Sequence, residues 1–218
     1  MKTDSELQRD VLAELTWEPS VQAQHIGVSA KDGVVTLTGD VPTYAEKFAA
    51  EDAAKRVAGV KAIAEELKVN LLDAHQRNDS DIAQSAINTL DWHVSVPKGK
   101  VKVVVENGWI TLSGDVDWNY QREAAHDAVR YLMGVKAVTN QIKLNVPDVT
   151  TAEVRTKIDS ALKRNMVKDA AGITIEANGG KVKLRGKVHS WEEHDAAGSA
   201  AWSTLGVSSL ENDLVVAY

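Results

Sequence analysis

The spacing of apolar residues changes several times along the chain and then repeats. Between Leu7 and Leu15, apolar residues recur three or four positions apart, which predicts an amphipathic helix. From Ile26 to Ala30 every second residue is apolar, which predicts a strand with one buried face. Asp32-Gly33 is a dipeptide typical of a two-residue hairpin, so a second strand should return beside the first.

The second strand and a second helix complete this unit. Alternate residues of 35–41 should face inwards, since side chains of a strand point to opposite faces in turn. A helix is predicted from about Tyr44 to Ala58, with Gly59 at its end. A last strand carries the apolar positions of 67–71. Because a helix joins the second and third strands, these should run parallel, while the hairpin strands are antiparallel.

The same succession of patterns occurs three times. The hairpin segments 32–41, 107–116 and 179–188 align without gaps, and equivalent Gly-Val pairs and helical leucines lie at identical distances from them. The shared glycines are Gly33, Gly39 and Gly59, then Gly108, Gly114 and Gly134, then Gly180, Gly186 and Gly206. We therefore predict three tandem modules, at residues 3–72, 78–146 and 149–218.

Each module is predicted to have the order α-β-β-α-β. Two helices should cover one face of a three-stranded mixed sheet, so that the chain belongs to the α+β class. The linkers 73–80 and 146–149 are short, and a module of this size buries only a small core. We therefore expect neighbouring modules to touch.

The glycines, the Gly-Val pairs and the apolar strand tails strongly resemble the BON family of small bacterial domains. These domains occur in osmotically inducible envelope proteins and in secretin- and channel-associated proteins, and the resemblance covers nearly the whole chain. It implies a non-catalytic module that binds phospholipid membranes or other envelope components under osmotic or other stress. The third copy departs from the other two at Lys187, where they have Asp40 and Asp115.

The composition excludes several classes of function. The chain has no cysteine, which excludes disulfides, thiolate catalysis and cysteine-bound metals. Its net charge of −6 argues against broad nucleic-acid binding, for which a basic surface is usual. The first residues lack a charged-then-apolar secretory segment, so we expect a cytoplasmic protein, or a periplasmic one if the chain is a processed form.

A row of basic residues marks the second strand of the third module. Lys181, Lys183, Arg185 and Lys187 occupy alternate positions, which places all four on one face of the strand. An anionic membrane attracts such a face by roughly 1 kcal/mol per basic residue. The alternative is a solvated face whose lysines discourage aggregation between sheet edges.

A second basic group precedes the hairpin of the second module. Lys98, Lys100 and Lys102 also alternate, although Pro97 and Gly99 weaken the prediction of a strand there. These lysines complete the basic side chains that we consider for binding a lipid or another anion. Here too the alternative is an ordinary solvated surface.

Six tryptophans are numerous for a chain with a single phenylalanine. Trp17 and Trp92 occupy equivalent positions after the first helix, where the third module has Arg164. Packing between modules is the interpretation we favour for most of the tryptophans, because such residues are largely buried. Trp109 is the best candidate for an external contact, because it lies on the outward face of its strand.

The histidines and carboxylates offer no catalytic arrangement. The segment from His189 to His194 fits neither of the two-histidine helical zinc motifs, and we expect it to open a helix with Ser190 as its cap. Asp40 and Asp115 follow glycines at strand ends but lie in different modules, so paired-carboxylate chemistry is not indicated. We expect no metal, no cofactor and no enzymatic activity.

Three hypotheses follow from the sequence. The first is peripheral binding to anionic phospholipid or to an envelope protein. The second is a structural role in protein-protein interaction or self-assembly, including a homo-oligomer. The third is a sensor of small ligands or cations, based on the acidic first part of the chain, where residues 1–73 include 8 basic and 13 acidic residues. Nucleic acid is not expected as a partner.

Overall fold

The computed structural model describes residues 2–147, 150–164 and 172–217. Within these residues the helices are α1 (Asp4–Trp17), α2 (Tyr44–Arg56), α3 (Asp79–Trp92), α4 (Asn119–Arg130), α5 (Thr151–Arg164) and α6 (Trp191–Trp202). The strands are β1 (Ile26–Lys31), β2 (Val34–Val41), β3 (Ala62–Val69), β4 (Val101–Glu106), β5 (Trp109–Val116), β6 (Ala137–Leu144), β7 (Thr174–Asn178), β8 (Lys181–Val188) and β9 (Ser209–Val216). Short 3₁₀ helices lie at Ala23–His25 and Asp73–His75.

The strands form three separate sheets of three strands each, ordered β1-β2-β3, β4-β5-β6 and β7-β8-β9. In the first sheet β1 is antiparallel to β2, and β2 is parallel to β3. The third sheet repeats both relations. The prediction of three tandem α-β-β-α-β modules with mixed sheets is therefore confirmed.

The chain divides into two compact units. One contains the residues up to Ser113 together with Ala125–Gln141, and the other contains Gly114–Ala124 together with the residues from Ile142 onward. In the first unit, Leu7, Val11 and Leu15 of α1 pack against Val35 and Leu37 of β2 in a continuous apolar core. In the second unit, α5, α6 and the inner face of the third sheet build the equivalent core.

The predicted strand faces agree with the structure, whereas two predicted ends are wrong. Helix α2 ends at Arg56 rather than Ala58, because Val57 adopts an extended conformation and is buried against the core. Gly59, with φ 108°, belongs to the turn that follows. The last strands also end earlier than predicted, so Leu71 lies beyond β3. The predicted strand end Tyr218 and the predicted module start at Val149 lie outside the described residues.

The hairpin turns are fastened in the same way in all three modules. The first residue of each module's first helix accepts a hydrogen bond from a backbone N–H of the turn. These bonds join Asp32 N to Asp4 Oδ1 (2.9 Å), Asn107 N to Asp79 Oδ2 (2.7 Å) and Gly179 N to Thr151 Oγ1 (3.2 Å). A side chain at Gly108 or Gly180 would meet the carbonyl oxygen of Gly134 or Gly206 at 2.7 or 2.6 Å. The repeated glycines therefore permit close backbone packing.

The first helix begins with a capping box. Thr3 N–H and Oγ–H both donate to the Glu6 carboxylate, at 2.8 and 2.9 Å, and these bonds lower the pKa of Glu6. Thr150 and Glu153 repeat the arrangement before α5, where the pKa of Glu153 is also lowered. Each carboxylate therefore stabilises the fold above its unfolded-state pKa, and this contribution is lost as pH falls through the lowered folded-state pKa.

Replacing Thr3 by valine should raise the pKa of Glu6 towards its ordinary value. The substitution removes the hydroxyl donor and keeps the backbone donor, so only part of the shift should disappear. An NMR titration of the Glu6 carboxyl carbon measures this change. Thr16→Val is the control, because the Thr16 hydroxyl bonds to Leu12 O instead. An unchanged Glu6 titration in Thr3→Val would show that the hydroxyl bond is unimportant.

Candidate functional site

The most exposed tryptophans end the first helices of the first two modules. Trp92 is 90% exposed and Trp17 is 82% exposed, so the expectation that they pack between modules is wrong. In each helix the last buried residue, Leu90 or Leu15, lies two positions earlier. Two positions rotate a side chain by about 200° around a helix, so each tryptophan points away from the core.

Trp92 lies at an apolar end of the second module. Val94, two residues later, is 99% exposed, and Ile87 on α3 is 46% exposed. Ile87 shares a small surface recess with Asp91 and with Val96, Pro97, Gly99 and Val101, which places the following loop beside the end of α3. We call Ile87, Trp92, Val94, Lys98 and Lys100 together the Trp92 tip.

The lysines of this tip do not alternate on a strand as the sequence suggested. Lys100 N–H donates to Pro97 O at 3.2 Å, and Gly99 has φ 71°, so this segment is a turn. Strand β4 begins only at Val101, and Lys102 is therefore the one member of the group on a strand. All three lysines are exposed. The turn places Lys98 and Lys100 on the loop that follows Trp92.

Trp109 lies on the outward face of β5, as predicted, and is 55% exposed. Its indole Nε1–H donates to Thr139 Oγ1 on β6 at 2.8 Å, so the ring lies across the neighbouring strand. Val104 on β4 is 61% exposed. This sheet face therefore presents apolar area, while the polar atom of Trp109 is already hydrogen-bonded.

The basic residues of β8 face outwards and alternate with the buried Val182, Leu184 and Val188. Two of the four cations are paired with acidic residues of the adjacent strands. Lys183 Nζ contacts Asp213 and Glu211 at 2.7 and 2.5 Å, and Arg185 contacts Glu176 at 2.9 Å. The hydrogen bonds to Asp213 and Glu211 raise the pKa of Lys183. Much of the positive charge on this face is therefore neutralised locally.

Sequence reasoning missed these acidic partners because it treated the basic strand alone. Glu176 lies opposite Lys183 in β7, and Glu211 lies opposite Lys183 in β9. Asp213 is the register partner of Arg185. The alternation of Glu211 and Asp213 along β9 was the available signal.

Within the first unit, the first and second modules touch through an aromatic and cationic contact. The Arg130 guanidinium of α4 lies 4.1 Å from the centre of the Phe48 ring on α2. Burial raises the pKa of Tyr44, whose hydroxyl accepts a backbone hydrogen bond from Val138. The expected contact between neighbouring modules is present here.

The region with two histidines opens a helix. Ser190 Oγ accepts a hydrogen bond from Glu193 N at 3.1 Å, and α6 follows, which confirms the predicted cap. Across the residues that the structure describes, no three histidine or acidic side chains are grouped to hold a metal ion. The described helices are also too short or too polar to cross a membrane.

The fold and the surfaces above define a tandem array of small α+β modules. The model of the BON domain matches residues 3–70, 78–145 and 150–218. The chain therefore belongs to the BON-domain family.

A search of characterised proteins finds the osmotically-inducible protein Y of Escherichia coli (strain K12). The two are 31% identical over 146 residues, which cover 64% of this chain and 72% of that protein. Among solved structures, CdsD of Chlamydia trachomatis, a structural protein of the Type III secretion system, matches with 13% identity and a TM-score of 0.28, over 96% of this chain and 91% of that one. The C-terminal domain of CdsD matches with 13% identity and a TM-score of 0.27 over the whole of both chains. These TM-scores are too low to support an inference.

Proposed function

We propose that this BON-domain protein is a non-enzymatic stress protein that binds anionic phospholipid membranes peripherally through the Trp92 tip. The similarity to an osmotically inducible protein supports the role in stress. The observation that carries the lipid proposal is the nearly complete exposure of Trp92, the last residue of α3, and of Val94 on the following loop, which also carries the exposed Lys98 and Lys100.

The composition of the tip suits the boundary between lipid headgroups and acyl chains. A tryptophan ring is amphipathic and favours this depth, while each lysine near an anionic surface contributes roughly 1 kcal/mol. Stable peripheral anchoring generally requires two such signals together. Asp91 lies beside the tip and offsets part of the positive charge. Binding should therefore be reversible and weaken with salt.

Trp92→Ala should reduce binding to vesicles of phosphatidylcholine with phosphatidylglycerol by about tenfold, since an interfacial aromatic anchor is lost. The double substitution Lys98→Gln, Lys100→Gln should reduce vesicle binding by a similar factor and make it less dependent on salt concentration. Vesicle co-sedimentation measures the binding. The blue shift of tryptophan emission on binding should disappear in Trp92→Ala.

Trp17→Ala is the matched control for this experiment. Trp17 ends α1 at the equivalent position and is 82% exposed, but Glu18 and Pro19 follow it and residues 18–25 contain no lysine. The affinity of the Trp17→Ala variant for the vesicles should remain within a factor of about two of the affinity of the unmodified protein. Equal losses in Trp17→Ala and Trp92→Ala, or no preference for anionic vesicles, would refute the proposed surface.

Self-association is a second candidate function, favoured by the exposed apolar area of Val104 and Trp109 on the second sheet. A mass that rises with concentration in light scattering, and falls in Trp109→Ser, would support it. The cation-sensor hypothesis gains no support from the described residues, among which no three histidine or acidic side chains are grouped to hold a metal ion. The cytoplasmic location remains a prediction.

A further inference from the structure

Strand β4 is an edge of the second sheet, in which the strands follow the order β4-β5-β6. The two-residue turn Asn107-Gly108 joins β4 to β5, so Glu106 and every second residue before it direct their backbone groups towards β5. The residues between them direct their N–H and C=O groups away from the sheet. They are Val101, Val103 and Val105, and their backbone can pair with a further strand.

The first module protects the same edge with a side chain that the second module lacks. Gln8 Nε2–H of α1 donates to the Val28 carbonyl oxygen of β1 at 2.8 Å. When the shared glycines are aligned, Ala83 of α3 takes the position of Gln8, and Val103 takes that of Val28. An alanine side chain has no hydrogen-bond donor, so this protection is missing at β4.

The sequence of β4 is complementary to itself in the antiparallel direction. From Lys102 to Glu106 it reads as one basic residue, three valines and one acidic residue. If two copies pair about Val104, each Lys102 lies opposite Glu106 of the second copy. Val103 of one copy and Val105 of the other then exchange backbone hydrogen bonds. Val104 faces Val104 in a pair without hydrogen bonds, where opposite side chains approach most closely.

The equivalent strands of the other two modules lack this complementarity. The outward residue at the centre of β7 is Glu176, so the same pairing would set two glutamates opposite each other. Like charges directly opposite destabilise a sheet. On β1 the central residue is Ser29, and Gly27 would lie opposite Lys31. The sequence pattern therefore singles out β4 among the three first strands.

The side chains that would meet are accessible. Val104 is 61% exposed, and Lys102 and Glu106 are exposed on the same face. Among the described residues neither of these charges forms an ion pair, unlike Lys183 and Arg185 of β8. We propose that two copies of this protein pair through β4 across a two-fold axis, which joins two three-stranded sheets into one. This inference rests on self-association, the second candidate function, and does not involve the lipid surface.

Charge reversal tests the register of this pairing, with the mass of the full chain followed by analytical ultracentrifugation. Lys102→Glu and Glu106→Lys should each weaken dimerisation by about tenfold, because each sets like charges opposite one another at two symmetric places. The two variants change the net charge in opposite directions, so net charge alone cannot cause both losses. The double variant Lys102→Glu, Glu106→Lys restores opposite charges and should dimerise like the unmodified protein.

Cysteine cross-linking locates the two-fold axis. The chain has no cysteine, so Val104→Cys introduces a single thiol. The proposed pairing brings the two Cβ atoms to about 4.5 Å, a separation that a disulfide can span on mild oxidation. Val215→Cys is the matched control, because Val215 lies on the edge strand β9 and is 57% exposed. The control should remain largely free of cross-links.

The outcomes separate edge pairing from other forms of self-association. Dimers that persist in both charge reversals but are lost in Trp109→Ser would overturn the pairing through β4 and retain self-association through the sheet face. Equal cross-linking of Val104→Cys and Val215→Cys would also contradict the inference. A monomer at every concentration would overturn both, and would leave this edge to an extended segment of another protein. Trp92→Ala should dimerise normally, so failure of the lipid proposal does not affect this one.

Discussion

Replacing Gly39 by alanine should destabilise the first unit by about 3–4 kcal/mol, combining backbone strain with a steric overlap inside a packed module. Gly39 has φ 124°, a conformation that side chains rarely adopt, and a Cβ there would overlap the carbonyl oxygen of His25. The overlap is with backbone, so a rotamer change cannot relieve it. Urea unfolding followed by circular dichroism measures the loss. Gly186→Ala should act in the same way on the third module, through the carbonyl of Gly172.

Gly99→Ala is the control for backbone strain alone. Gly99 also has positive φ, at 71°, but a Cβ there meets no atom within 4 Å. Its substitution should therefore cost only about 1–2 kcal/mol, the usual penalty of the left-handed region. Equal losses at Gly39 and Gly99 would mean that the close approach to His25 contributes nothing.

The fold was predictable because its signals are local and repeated three times. The hairpins at Asp32-Gly33 and Asn107-Gly108 adopt positive φ at all four residues, as these dipeptides favour. The alternation of apolar and polar residues along β2 and β8 is also a local signal, and it predicted which face of each strand is buried. The end of α2 was missed because Val57 is extended and buried against the core before Gly59 is reached, and Val60 is buried directly after it. Tertiary packing decided that boundary.

The candidate sites were only partly predictable, since they depend on groups that are distant in sequence. The lysines near Trp92 were identified, but the exposure of Trp92 depends on where α3 meets its core. Asp4, Asp79 and Thr151 were also overlooked, although each lies 28 residues before its hairpin partner.

The basic strand β8 shows how neighbouring strands decide the meaning of a charge pattern. Four cations on one face predicted a membrane-binding surface, yet Glu176, Glu211 and Asp213 lie on the adjacent strands and contact Lys183 and Arg185. Exposed ion pairs of this kind contribute little to stability, typically below about 1 kcal/mol each. Their larger consequence is for the potential at this surface, because each carboxylate cancels a charge that an anionic membrane would attract.

Removing these carboxylates should therefore convert the third sheet into a strong anion-binding surface. The variant Glu176→Gln, Glu211→Gln, Asp213→Asn removes three negative charges, so affinity for phosphatidylglycerol vesicles should rise about 100-fold at low salt, at roughly 1 kcal/mol per charge. Vesicle co-sedimentation measures this affinity, and the gain should vanish at high salt.

The control is a second triple variant that removes three negative charges from exposed residues of the other two sheets. It carries Glu66→Gln, Glu106→Gln and Asp115→Asn. Equal gains in both variants would mean that net charge alone controls binding. No gain in the first would exclude the β8 face as a membrane surface, because its cations would then have been uncovered without effect.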